Sequence, residues 1–547
     1  MKRPFLILAF LLWISPAFAQ QQDARLTAEF DILLSRQFKS NETGATALVA
    51  RKGQILYQKA FGMANLELNV PMQTDNVFRI GSITKQFTAV AILQLMEQGK
   101  LSLQDDITKY LPDYPTHGHT ITIEHLLTHT SGIQSYTDMK DFGERMTLDQ
   151  KPTEVIDYFK NQPMEFAPGT KWNYNNSGYF LLGYIIEKVS GKTYPEYVET
   201  QFFKPLGMNH SMYGSNEKII KNRAGAYNKV DSTFVNAENI SMTQPYAAGS
   251  ILSTVGDLYR WHLALHSYKV VKKENLDKAI TRYKLTDGKT VPYGYGFGFE
   301  NVQGSPTIEH GGGINGFRTA AIYLPEEDVF VAVFSNCDCK PPAEVAGKMA
   351  ALTIGKPYNY KEIPVESMVL QSYAGVYENS KSDQRYITVE ANALHSQRNG
   401  GSKFKLKGFQ KDKFYFESLM NTLTFTRNAN NEVDKVMLKG RADDEVWTKT
   451  NKPIPTRIEV KVEEDILSLY VGDYELAPGF VISISKDGTR LFAQATGQAK
   501  NELFATSAIQ FFLKVVDAQV EFIKDGPGKV SKLVLNQGGK KVEGKRK

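Results

Sequence analysis

From Phe87 to Met96 only Thr88 and Gln94 are polar. A helix apolar on nearly every side belongs inside a core rather than on a surface. Around it, between residue 25 and about residue 355, strand and helix periodicities alternate. "TALVARKGQILYQKAFG" predicts two strands with a turn at Lys52 and Gly53, and "TAAIYLPEEDVFVAVFSN" a hairpin with a polar turn at Glu326 to Asp328. "SGYFLLGYIIEKVSGKTYPEYVETQFFKPLG" predicts two helices, the first ended by Gly191. Strands at both ends with helices between predict one mixed sheet built from distant parts of the chain.

The pattern changes at "GKPYNYKEIP" and again at "TNKPIPTRIEVKVEE", Pro-bearing and charged as linkers are. Between and after them the chain repeats itself. "SYAGVYE" recurs as "LYVGDYE", which aligns Tyr373 with Tyr470, Gly375 with Gly472 and Tyr377 with Tyr474. The same offset of 97 residues pairs Leu394 with Leu491, Leu406 with Leu503, Phe425 with Phe522 and Val433 with Val530. Each copy alternates short strands and turns over about 80 residues, the pattern of a small antiparallel barrel with its interior filled by side chains. The predicted organisation is a leader over 1–19, a main domain over 20–356, and barrels over 366–450 and 463–547.

The leader has a basic start, "MKR", an apolar run, "PFLILAFLLWISP", and small residues ending at Ala19. That is the form of a secretory signal peptide, so export to the periplasm or the medium is expected. No later stretch is long and apolar enough to span a bilayer, which takes about 20 residues. Net charge is +6 for the 547 residues and +4 once Lys2 and Arg3 leave with the leader. Part of the remainder lies in the tail "KKVEGKRK", a solvated end, and no nucleic-acid partner is expected of an exported chain. Cys337 and Cys339 in "NCDCK" make no zinc site by themselves, and the ring of a bridge between them would be small and strained. They read as structural or incidental.

Lys85 opens the apolar segment, three residues after Ser82. A buried ammonium is costly, so burial favours the neutral amine. The positive end of the helix dipole acts in the same direction. A neutral amine on the same helix face can take the proton of Ser82 and make that hydroxyl a nucleophile. S-x-x-K alone is a common string. It has company in "GTKWNYNNSGYFLLG", with Tyr174 and Asn176 just before a helix, and in "IEHGGGINGFRTAAIYL", where His310, Gly311, Gly312 and Gly313 open a strand. A tyrosine beside a lysine can relay a proton, an asparagine can hold a substrate amide, and glycines let a substrate backbone approach a strand edge.

S-x-x-K, then Y-x-N, then H-G-G in that order resembles the penicillin-recognising serine hydrolases. "FRIGSITKQFTA", "LLTHTSGI", "WNYNNSGYFLLG", "AAGSILSTVGDLYRW" and "EHGGGINGF" resemble blocks of the branch that holds class C β-lactamases, D-Ala-D-Ala carboxypeptidases, D-aminopeptidases and esterases. The resemblance covers about residues 25 to 355. It implies an α+β fold of the β-lactamase/transpeptidase type: an antiparallel sheet with helices on both sides and a helical region, here followed by the two β-barrels. It also implies an acyl-enzyme on Ser82, with Lys85 and Tyr174 sharing the general-base and general-acid work. The N–H groups of Ser82 and Gly313 would form the oxyanion hole, and Asn176, His310, Gly311 and Gly312 would bind substrate. His129 and Gly249 fall in such blocks and read as structural.

The β-lactamase form of the third motif is Lys-Thr-Gly. His310-Gly311-Gly312 replaces its fixed charge with an imidazole and removes a hydroxyl, which favours peptidase or esterase chemistry over efficient β-lactam hydrolysis. The expected substrates are D-amino-acid peptides, peptidoglycan fragments, or small esters and amides. A class C-like β-lactamase and a non-catalytic penicillin-binding envelope receptor are the alternatives. No metal or organic cofactor is indicated, and no G-x-S-x-G elbow offers a rival nucleophile. The barrels resemble lipocalin-like appendages that cap a site or mediate homo-oligomer assembly.

Overall fold

The structure, a computed structural model, describes residues 16–455, 457–477, 479–525 and 529–547. The predicted leader therefore lies, up to residue 15, outside the described residues. The chain divides into two compact units, one running to Asn228 and over Phe234–Pro357, the other made of Lys229–Thr233 and Tyr358–Lys547.

In chain order the first unit contains helix α1 (Pro16–Gln37), strands β1 (Ala45–Arg51) and β2 (Gln54–Phe61), and helices α2 (Thr84–Glu97) and α3 (Asn176–Ser190). A single turn α4 (Tyr246–Gly249) and helix α5 (Val255–His266) follow. Strands β3 (Gly298–Val302), β4 (Ser305–Ile314), β5 (Phe317–Leu324) and β6 (Val329–Ser335) come next, then helix α6 (Ala343–Thr353). The sheet order is β3-β4-β5-β6-β1-β2. Every pair in it is antiparallel, as the resemblance implied, which corrects the mixed sheet read from periodicity alone. Hairpins join β1 to β2 and β3 through β6 in succession, and a tight hairpin can only be antiparallel. The join between distant parts is β1 on β6, with Ala45 opposite Ser335. The β1–β2 turn falls at Lys52 and Gly53, both at positive φ (51° and 76°), the geometry that matches strand twist in a two-residue loop.

Strands β1 and β6 are buried along nearly their whole length, and α5 and α6 pack against this central pair. Helix α2 is buried on all sides, as its sequence requires. Phe87 stacks on Trp261 of α5 at 4.1 Å between ring centroids. Each large apolar side chain so buried contributes about 1.5–3 kcal/mol, which fixes the helix and takes Lys85 into the core with it. Helix α3 ends at Gly191 in the left-handed conformation, φ 71°. Gly183 on the same helix is a contact point: a Cβ there would lie 2.3 Å from the Ala247 Cβ, so its absence lets α4 close onto α3.

The second unit holds two closed barrels of eight antiparallel strands each. The first runs from β7 (Gly375–Glu378) to β14 (Glu445–Lys449), the second from β15 (Gly472–Ala477) to β22 (Lys540–Arg546). Leu394, Leu406 and Phe425 fill one interior, and their repeat partners Leu491, Leu503 and Phe522 fill the other. A tyrosine device recurs as well. Tyr377 Oη donates to the Tyr373 carbonyl at 2.7 Å, and Tyr474 Oη to the Tyr470 carbonyl at 2.9 Å.

In the first unit Cys337 and Cys339 are joined in a disulfide with Cα atoms 5.1 Å apart. That span lies within the reach of such bridges, and of the two readings of the pair it fits the structural one. Among the described residues no helix is long and apolar enough to cross a membrane.

Candidate active site

Ser82 sits in a 3₁₀ turn, Gly81–Ile83, immediately before α2, and Lys85 in the first turn of that helix. Lys85 is fully buried. Its Nζ lies 3.1 Å from Ser82 Oγ, 2.8 Å from Asn176 Oδ1 and 2.9 Å from the Ala248 carbonyl. Burial holds its pKa well below the usual lysine value, and among the described residues no carboxylate opposes that. A neutral amine has two N–H donors and one lone pair. Asn176 Oδ1 and the Ala248 carbonyl can accept the two donors, which leaves the lone pair for the Ser82 hydroxyl.

Asn176 heads α3, where Asn175 caps the helix by accepting from Gly178 N–H at 2.7 Å. The amide of Asn176 is fixed at both ends, since its Nδ2 donates to Thr137 Oγ1 at 3.0 Å while its oxygen faces Lys85. It thus orients the amine. Tyr174, two residues earlier, lies with its ring centroid 4.8 Å from Lys85 Nζ. Its hydroxyl is buried without a hydrogen bond, and burial raises its pKa well above 10 while the neighbouring Ser82 hydroxyl opposes the rise. His129 packs behind the Tyr174 ring at 4.3 Å. Its Nδ1 accepts from the Asn175 N–H at 3.0 Å, and burial keeps it neutral, so the remaining proton sits on Nε2.

The glycine strand comes from the other side. β3 pairs with β4 only from Ser305 to Glu309, so from His310 onward β4 has β5 on one side and an open edge on the other. Gly311 and Gly313 are exposed there. Gly312 is needed for a different contact: a Cβ on it would lie 2.0 Å from the Ile80 carbonyl oxygen, in the turn that carries the nucleophile. Gly81, at φ 53°, abuts the same strand, where a Cβ would lie 2.9 Å from Gly313 N. The two glycines therefore set the Gly313 amide beside the Ser82 turn. His310 is buried, with Nδ1 2.6 Å from the Gly311 carbonyl and Nε2 2.8 Å from Tyr293 Oη. The carbonyl can only accept, so Nδ1 carries the proton and Nε2 receives one from Tyr293. Burial, the largest cause, pushes its pKa down to about 4.

Ser82, Lys85, Tyr174 and Asn176 thus converge, and Gly313 borders them. His310 is tied to Tyr293 instead. Sequence reasoning missed the Ala248 carbonyl, Thr137 and Tyr293. The first belongs to the block "AAGSILSTVGDLYRW", but a backbone acceptor leaves no trace in residue type. It also missed a His-x-x-x-His pair, His262 and His266 on α5. Their rings pack on Tyr323, and among the described residues no group of three or more His, Cys, Asp or Glu side chains is placed to hold a metal.

A buried lysine bonded to a serine at a helix start, beside an open strand edge, is an arrangement that suits a serine hydrolase. The chain belongs to the beta-lactamase family, whose model matches residues 24–355. A model of a domain of unknown function, DUF3471, matches residues 456–546, within which the second barrel falls. Penicillin-binding protein 4* of Bacillus subtilis (strain 168) is 28% identical over 417 residues, covering 71% of this chain and 91% of its own. Among solved structures, an octameric penicillin-binding protein homologue from Pyrococcus abyssi is 29% identical with a TM-score of 0.54, covering 78% of this chain and 99% of that one. A D-stereospecific amidohydrolase from Streptomyces sp. is 26% identical with a TM-score of 0.51, covering 60% of this chain and 98% of that one.

Proposed function

We propose that the protein is an exported hydrolase of D-amino-acid peptides, peptidoglycan fragments or related small amides and esters, working through an acyl-enzyme on Ser82. The observation that carries this is the fully buried Nζ of Lys85 lying 3.1 Å from Ser82 Oγ, where burial holds its pKa well below the usual lysine value. Ser82 Oγ attacks the substrate carbonyl as its proton passes to Lys85 Nζ. The resulting oxyanion is held by the N–H groups of Ser82 and Gly313, each donor contributing roughly 2.7–4 kcal/mol at the transition state. Tyr174 keeps its proton at neutral pH and so suits delivery of a proton to the leaving group, while Lys85 suits removal of one. The bond to the protonated leaving group breaks and leaves the acyl-enzyme. Water then attacks its ester carbonyl while giving a proton to the Tyr174 oxygen. Ser82 Oγ departs with the proton held on Lys85, which releases the acid and restores all three groups.

Similarity to a D-stereospecific amidohydrolase and to penicillin-binding proteins supports the substrate class. The neutral His310 supports peptide or ester turnover over rapid β-lactam hydrolysis, since it supplies no fixed charge at the strand. The leader-like start supports export, and the octameric relative supports assembly, which we assign to the barrels. The test is a panel of D-aminoacyl amides, D-Ala-D-Ala peptides, p-nitrophenyl esters and nitrocefin, run on the wild type and Ser82→Ala. Turnover of the amides, peptides or esters that vanishes in Ser82→Ala is expected, with nitrocefin near background. Equal turnover by Ser82→Ala, or nitrocefin as the best substrate, overturns the reading.

A further inference from the structure

Away from the active site the first unit carries another cavity, of about 270 Å³, just below the usual range for small-ligand sites, which begins at about 300 Å³. Tyr184 and Lys188, one turn apart on α3, wall one side. Thr153, Asp157 and Lys160 wall another, since spacings of four and seven put them on one face of the helix Pro152–Phe159 and its C-cap. That helix packs on α3, and the segment from Tyr110 to Tyr114 closes the third side. Asn176 heads α3 and Tyr184 stands roughly 12 Å further along its axis, so the cavity is separate from the groups around Ser82. Tyr114 is only 6% exposed, and burial raises its pKa well above 10. Among the described residues its hydroxyl has no hydrogen-bond partner, yet the oxygen is not sealed off and opens on the cavity. A phenol so placed keeps a donor and an acceptor unspent, which is costly unless something meets them. The hydroxyls of Tyr184 and Thr153 likewise have no partner among the described residues. Formal charge is balanced: Lys160 pairs with Asp157 at 2.5 Å, and Lys188, 5.0 Å over the Tyr184 ring, is matched in number by Asp113.

We infer that this cavity is a saccharide subsite that takes one neutral pyranose ring. A pyranose has C–H faces that pack on aromatic rings and a rim of hydroxyls that each donate and accept. The cavity answers both, with the rings of Tyr110, Tyr114 and Tyr184 and with three unpartnered hydroxyls. Its balanced charge suits a neutral sugar over an inorganic anion or a peptide terminus. Its size admits a single ring with the rest of an oligosaccharide outside. Sugar binding here goes beyond the chemistry at Ser82 and holds whether or not peptides are the substrate.

The test titrates the full chain with N-acetylglucosamine, its β-1,4 dimer, glucose and cellobiose, read by calorimetry and saturation-transfer NMR, with D-Ala-D-Ala and sulfate as comparisons. Saturable binding of a sugar is expected, and the acetylated and plain pairs tell an amino-sugar source from a general hexose. Tyr114→Phe removes only the unpartnered hydroxyl. It should weaken sugar binding by about 3- to 10-fold, the range of one hydrogen bond, while Tm and turnover at Ser82 stay as in the wild type. Thr153→Trp, at an exposed position, fills the cavity mouth and should abolish binding without disturbing the fold. Ser82→Ala should bind sugar as the wild type does, so failure of the proposed chemistry and failure of the sugar site are read separately. Absence of sugar binding, binding unchanged in Tyr114→Phe and Thr153→Trp, or a preference for the dipeptide or sulfate overturns the saccharide assignment.

Discussion

A lysine with one hydroxyl, one amide oxygen and one carbonyl around it, and no carboxylate, is a residue whose environment selects the neutral form. The sequence showed this much, because a helix apolar on all sides takes the one cation at its head into the core with it. It did not show that Asn176 serves the lysine first, since Y-x-N names a residue type and not its partner. His310 carries a separate prediction. Its pKa is about 4 folded against 6.5 unfolded, so between those values the unfolded chain binds more protons and stability rises with pH. Stability should therefore fall as the pH drops from about 6.5 to about 4, with the penalty complete below that. His310→Gln should make this fall shallower in denaturant titrations across the range. Neutral His129 and His262 should preserve the rest of the slope.

Elements place these residues through close contacts that only glycine allows. The run of glycines after His310 is visible in the sequence, and its reading as an open strand edge agrees with the end of β3 pairing at Glu309. That Gly312 is instead pressed on the Ile80 carbonyl was not legible, because a long-range approach leaves no local signal. Gly312→Ala should separate β4 from the nucleophile turn. A shift of about 1 Å costs on the order of 100-fold in rate, and kcat should fall by at least that much while circular dichroism stays native. In the barrels the recurring tyrosines make a milder prediction. Tyr377→Phe and Tyr474→Phe each remove one buried hydrogen bond and should each cost about 1 kcal/mol in chemical unfolding. Unequal effects, one large and one absent, would show that the two copies no longer use the same device.

The whole molecule was readable in outline for a simple reason. Repeats and periodicity are properties of long stretches, and the offset of 97 residues recurs in strand after strand of the two barrels. The resemblance implied the antiparallel sheet that is found, whereas periodicity alone pointed to a mixed one, because strand direction depends on which distant strands meet, here β1 and β6. Every residue of the proposed chemistry lies in the first unit. A chain ending after Pro357 should accordingly retain ester and amide hydrolysis within a few-fold of the full chain, measured as kcat/KM. Loss of activity in a truncated chain that still folds would show that the barrels contribute to the site.

The proposed chemistry depends on Lys85 being unprotonated near neutral pH and taking the proton of Ser82. The decisive quantity is the rate at which a fluorophosphonate labels Ser82, followed by mass spectrometry from acid to alkaline pH in wild type, Lys85→Met and Lys85→Arg. Labelling should be fast at neutral pH, fall on acidification, and be lost in both variants. Labelling that rises only as the pH approaches 10.5, the ordinary lysine value, or that persists in Lys85→Met, would contradict a neutral lysine base.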